Sequence, residues 1–126
     1  MKSIFVFTIG ICLLGSCRNV RTSQSIGRIA EQQDLYRCTV SFISIGSGID
    51  KDALNKFLFL IRRYKDRTGK ELIFESVSWG REGERDYCLR LSELTSEQQG
   101  AFIRELRDLL GSSTRVRLAE NVKCRN

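Results

Sequence analysis

Tyr36-Arg37-Cys38-Thr39-Val40-Ser41-Phe42-Ile43-Ser44-Ile45-Gly46-Ser47-Gly48-Ile49-Asp50 sets the pattern from which the rest of the chain is read. Residues 36–45 are rich in β-branched and aromatic side chains, which suit a pleated, half-buried strand, and Gly46-Ser47-Gly48 stops the run in a turn. Asp50 then stands where a helix N-cap is wanted. Leu54, Phe57, Leu58, Ile61 and Tyr64 recur at helical spacing behind it, and Gly69 supplies the stop. A strand passes straight into an amphipathic helix.

The same alternation continues toward the C-terminus. Leu72 to Trp79 reads as a second strand, Gly80-Arg81-Glu82-Gly83 as a polar hairpin, and Asp86 to Leu91 as a third strand. Thr95 opens a second helix with Gln98 placed for a capping box; Phe102, Leu106, Leu109 and Leu110 form its inner face, and Gly111 ends it. Arg115 to Ala119 is a short fourth strand, and residues 121–126 form a tail. The order β-α-β-β-α-β, with right-handed crossovers, predicts an α+β domain of ferredoxin-like topology. Two helices cover one face of a four-stranded antiparallel sheet. The first strand is then central beside the fourth, and the second is at an edge.

Alternation assigns the faces. Tyr87, Leu89 and Leu91 share one side of the third strand, as do Val116 and Leu118 on the fourth, and these meet the helices. The other side carries Cys88, Arg90, Arg115 and Arg117. In the first strand Val40 and Phe42 compete with Ile43 and Ile45 for the core. If Val40 and Phe42 point inward, Thr39 and Ser41 join the arginines on an open face suited to an anionic ligand.

The other end of the chain carries an address. Lys2 precedes an apolar run from Ile4 to Leu14, and Leu14-Gly15-Ser16-Cys17 follows directly. The run is far shorter than the ~20 residues that span a bilayer and has the form of a secretory leader. With the cysteine placed immediately after Leu-Gly-Ser, it resembles the bacterial lipoprotein signal. That resemblance implies cleavage after residue 16, diacylglycerol on Cys17 and acylation of its new amino group. It also implies the outer membrane, because Arg18 stands where inner-membrane retention uses Asp. Three segments follow: a leader over 1–16, a lipidated flexible tether over 17–34, and a single domain over 35–126. Several acyl chains hold firmly where one holds marginally, so the domain needs no membrane-binding surface of its own.

Composition narrows the chemistry. The chain has 21 basic and 15 acidic residues, a formal charge of +6, and loss of the leader removes only Lys2. A basic balance favours an anionic partner, such as an envelope polymer or an acidic protein. The chain contains no histidine, so the commonest general base and transition-metal ligand are missing. Of five cysteines, Cys12 leaves with the leader and Cys17 takes the lipid, which leaves Cys38, Cys88 and Cys124. No Cys-x-x-Cys occurs, so neither a thioredoxin-type redox site nor a zinc knuckle is supported. An exported domain of this size is marginal by itself and is helped by a disulfide. Strand positions point to Cys38 with Cys124, because the start of the first strand lies near the end of the fourth.

Two segments invite a functional reading. Gly46-Ser47-Gly48 before a helix can offer backbone N–H groups to an anion, yet it matches no phosphate-loop pattern and Asp50 puts a negative charge at its mouth. Acylphosphatases have this topology and bind phosphate at the equivalent turn, but their motif is missing here. RNA-recognition domains also share the strand order, but they stack bases on aromatics where this chain has Cys88 and Arg90, which argues against nucleic acid. Trp79, Arg81, Glu82, Glu84 and Arg85 form the second segment, an exposed hairpin whose tryptophan either anchors a partner or caps the core.

Residues 41–50 and Trp79-Gly80-Arg81-Glu82-Gly83-Glu84 resemble segments of small, uncharacterised bacterial lipoproteins of similar length. The resemblance implies no mechanism. It does imply a bond between Cys88 and Cys124 in place of Cys38 with Cys124. The expected function is a non-enzymatic binding or envelope-scaffolding role in a lipoprotein of the periplasmic side of the outer membrane. It uses no cofactor or metal, and its surface is the 79–85 hairpin with Arg90, Arg115 and Arg117. The alternatives are a periplasmic immunity or inhibitor protein and, more distantly, an acylphosphatase-like enzyme or a hydrolase built on Asp50, Glu82 and Glu84.

Overall fold

A computed structural model describes residues 34–126. The leader, Cys12, Cys17 and the tether up to residue 33 lie outside the described residues. The domain is α+β, with two helices and antiparallel sheets. In chain order the elements are β1 (Leu35–Tyr36), β2 (Cys38–Phe42), α1 (Lys51–Thr68), β3 (Phe74–Ser78), β4 (Arg85–Leu89), α2 (Ser96–Leu110), β5 (Val116–Ala119) and β6 (Val122–Lys123).

Local chemistry accounts for both helices. Asp50 caps α1 by accepting from Ala53 N–H at 2.9 Å, which satisfies one of the first-turn donors. Gly69 ends it in the left-handed region at φ 69°, where its N–H reaches the Lys65 carbonyl. Thr95 and Gln98 form the expected capping box on α2. The packed stripe of α1 is rotated from the expected one: Ala53, Phe57, Leu60 and Tyr64 are buried, whereas Leu54, Leu58 and Ile61 lie along its flank. The reason is that α2 occupies the other flank. The Tyr64 hydroxyl donates to the Gln98 carbonyl, and Arg63 and Arg67 both pair with Glu105.

The four longer strands form an antiparallel sheet in the order β3-β4-β2-β5. Val40 lies opposite Tyr87 on one side and Leu118 on the other. This settles the ambiguity in the first strand, because Cys38, Val40 and Phe42 are fully buried and Ile45 is exposed. Phe42, Phe57, Phe74 and Tyr87 form an aromatic cluster at the centre, with Phe57 and Tyr87 centroids 4.9 Å apart. Tilted and edge-on rings of this kind add attraction beyond area burial.

A second, two-stranded sheet was not legible in the sequence. β1 pairs with β6, Leu35 opposite Lys123 and Tyr36 opposite Val122, in the register already set by β2 and β5. The ladder bends where Asn121 takes φ 54°, a left-handed conformation that asparagine tolerates better than most residues. The residues after β5 are therefore a returning strand rather than a loose tail. That return builds the site.

Candidate functional site

The outer face of the sheet, away from the helices, carries Thr39 and Ser41 from β2, Glu75 and Val77 from β3, Asp86 and Cys88 from β4, and Arg117 from β5. It is not the open platform expected. The bend at Asn121 turns the β1–β6 ribbon over it, and a disulfide between Cys124 and Cys88 pins the ribbon there. The pairing of Cys38 with Cys124 is overturned: Cys38 faces the helices, buried and free, on the opposite side of the sheet. Strand proximity pointed to the wrong cysteine because side chains at Cys38 and Cys88 leave the sheet in opposite directions.

Around the bond, two arginines lie over aromatic rings. Arg125 stacks on Trp79 at 4.2 Å from the ring centre and donates from Nε to Asp86 Oδ2 at 3.2 Å. Trp79 Nε1–H donates to the other oxygen of the same carboxylate at 2.9 Å. Asp86 is buried, so both of its oxygens are answered by fixed donors. At the other end of the face, Arg90 stacks on Tyr36 at 4.2 Å and donates to its hydroxyl at 3.2 Å. A hydrogen bond to Glu75 raises the Tyr36 pKa, with burial adding to the effect and Arg90 opposing it. Asp34, Tyr36, Glu75, Arg90, Lys123 and Arg125 enclose a pocket of about 240 Å³ beside Cys124.

The expected arginine face is dispersed. Arg90 lies at one end of the sheet and Arg115 at the other. Arg115 turns away to donate to the Gly48 carbonyl at 3.2 Å, which leaves Arg117 and the stacked Arg90 exposed, well apart from each other. Trp79 is neither a free anchor nor a core cap: it lies on the outer face, 38% exposed, held by Asp86 and Arg125. Within the hairpin, Arg81 is exposed at the tip, and Arg85 donates to Ser78 across the β3–β4 pair on the helix-side parity.

The glycine turn is spoken for. Ser44 Oγ accepts from Gly46 N–H at 3.2 Å and Gly48 N–H at 3.0 Å, and donates to Glu82. Gly48, at φ 78°, also runs close to the Glu82 carbonyl, so the turn serves to seat the hairpin. The carboxylates Asp50, Glu82 and Glu84 are not gathered in one cleft. Asp50 accepts from Ser113 and the helix amide, which lower its pKa, and Glu84 accepts from Glu82 N–H. Among the described residues no group of three Cys, Asp and Glu is placed to hold a metal.

Asp86, Arg125, Tyr36, Glu75 and Lys123 escaped the sequence reading. Asp86 could have been found, since alternation sets it on the same face as Cys88. Glu75 could have been found in the same way, from the hairpin pairing that sets it opposite Cys88, whereas Tyr36, Lys123 and Arg125 needed the course of the ribbon. Cys38 has a separate consequence: burial, with Glu120 adding to it, pushes its thiol up to about 11. Nucleophilic reaction requires the thiolate. Folded protein at mildly alkaline pH should therefore leave Cys38 untouched by iodoacetamide, and denaturation without reduction should expose this one thiol of the three cysteines among the described residues. Mass spectrometry of the alkylated peptides reads the outcome.

No protein-family model matches the chain, and no curated protein or solved structure does either.

Proposed function

We propose that this chain is a lipid-anchored protein of the bacterial envelope, facing the periplasm from the outer membrane, that works by binding a protein partner. We further propose that its sheet and helices are a ferredoxin-like β-α-β-β-α-β arrangement extended by the β1–β6 ribbon. Leu14-Gly15-Ser16-Cys17 supports the anchor. The Cys88–Cys124 bond supports an oxidising compartment. The antiparallel pairing of β2 with both β4 and β5 supports the topology.

The observation that carries the binding reading is the pair of arginine–aromatic stacks on one disulfide-pinned face, Arg90 on Tyr36 and Arg125 on Trp79. Tryptophan, tyrosine and arginine dominate binding hot spots, and side chains already held in place lose little rotamer freedom when a partner arrives. Charges of both signs surround the stacks, with Asp34 and Glu75 between Arg90, Lys123 and Arg125. This mixture suits a protein surface better than a polymer of uniform charge.

Affinity capture from intact envelopes tests the reading. The full chain should retain a partner that is lost with Arg90→Glu combined with Arg125→Glu, while circular dichroism shows the variant folded. Equal recovery by both forms would count against this surface.

A further inference from the structure

The sheet ends on β3, and among the described residues no strand pairs with its second side. The direction of its backbone groups follows from the hairpin. Trp79 N–H donates to the Glu84 carbonyl at 3.2 Å, and hydrogen-bonded pairs alternate along an antiparallel ladder. Val77 and Glu75, opposite Asp86 and Cys88, therefore direct their amides and carbonyls to β4. Phe74, Ser76 and Ser78 direct theirs to the open edge. Edge strands are ordinarily guarded by proline, by charged side chains, lysine above all, or by a bulge. β3 reads Phe74-Glu75-Ser76-Val77-Ser78 in regular register without proline, lysine or bulge, and its one charge, Glu75, lies on the outer face, away from the helices.

Beside this edge, α1 and the start of β3 enclose a cleft of about 330 Å³. Leu58, Ile61, Leu72 and Phe74 line it, with Arg62, Lys65 and Glu71 at the rim. Lys65 pairs with Glu71, whereas Arg62 has no ion pair among the described residues. Ile73, just ahead of the strand, is 69% exposed. Unpaired N–H and C=O groups in a row call for an extended backbone, and an adjacent apolar cleft calls for alternate side chains from it.

We propose that the β3 edge and the α1 cleft form a second interaction surface, which takes an extended segment of a partner protein as an added strand. The helix-side positions of that segment combine apolar residues for the cleft with an acidic residue for Arg62. Charge selects this occupant over two others. A second copy paired through β3 would bring α1 beside its equivalent and set Arg62 against another Arg62, the Lys65 charge being already answered by Glu71. The stretch 18–33 of this chain carries Arg18, Arg21 and Arg28 against a single acid, Glu31, and so repels the rim as well.

The test is a display library of random ten-residue peptides selected on the full chain, followed by fluorescence anisotropy with one enriched peptide made synthetically. The enriched sequences should alternate, with apolar and acidic residues on one parity. Ser76→Pro removes an outward N–H at an edge position where proline is otherwise tolerated, and should weaken the peptide about tenfold or more. Arg62→Glu should turn the selection from acidic to basic peptides, which keeps the question decidable if the proline variant fails to fold. Arg104→Glu, exposed on α2 and part of neither surface, should leave peptide affinity unchanged. No enrichment, enrichment indifferent to both edge variants, concentration-dependent dimerisation through β3, or occupation of the edge by residues 18–33 would each overturn the proposal.

Discussion

Cys124→Ser should lower the free energy of unfolding by about 3–4 kcal/mol, because the bond closes a long loop in the unfolded chain. The two cysteines are 36 residues apart in sequence, and the loop contains α2, β5 and β6. A small domain holds only about 5–15 kcal/mol in all, so the loss is a large share of its margin. Urea denaturation measures it. Adding a reductant should shift the wild-type midpoint to that of the variant and leave the variant where it is. The effect also reaches the outer face. Without the bond, Arg125 is held only through Asp86 and Trp79, and hydrogen exchange should show β6 losing protection before β2 or β4. An unchanged midpoint would mean that the ribbon does not depend on the bond.

Phe57→Ala should cost about 3–5 kcal/mol, the range for emptying a fully buried aromatic position. Phe57 is completely buried, and its ring meets Phe42, Phe74 and Tyr87, so three partners lose a neighbour at once. These partners come from β2, β3 and β4, so the cavity would open where α1 meets the sheet. Phe57→Leu keeps most of the volume and should cost clearly less. Thermal and urea unfolding of both variants decide the matter, with equal losses contradicting the central position of this ring. Cys124→Ser and Phe57→Ala act on opposite faces of the sheet, so their costs should add when combined.

The elements built from local signals were legible. Asp50, Gly69, Thr95 and Gln98 act through groups a few residues away, and each does what its position in the sequence suggests. Face assignments in β4 and β5 followed from alternation. The rotation of α1 did not, because Leu54 and Leu58 are as apolar as Leu60, and only the placement of α2 chooses among them. The site was the least legible part. Two-residue strands such as β1 and β6 are below the length at which periodicity speaks. Their pairing extends a ladder whose bend rests on one asparagine, Asn121. Once that bend is missed, Arg125 cannot be brought to Trp79, nor Tyr36 to Arg90. Arg115 was misplaced for a related reason: alternation sets where a side chain leaves the backbone, but a long arginine side chain can reach a carbonyl at the sheet's end.

Everything assigned to the outer face depends on a ribbon fastened through Cys124 in a compartment that keeps that fastening oxidised. Peptide mapping without reduction, on protein extracted in detergent from the cells that make it, bears on both at once. It should yield Cys88 and Cys124 in one cross-linked peptide, Cys38 as an unmodified thiol and, on the proposed anchoring, an N-terminal peptide beginning at Cys17 with a lipid attached. A linkage through Cys38, or three reduced cysteines behind an intact Met1, would contradict it.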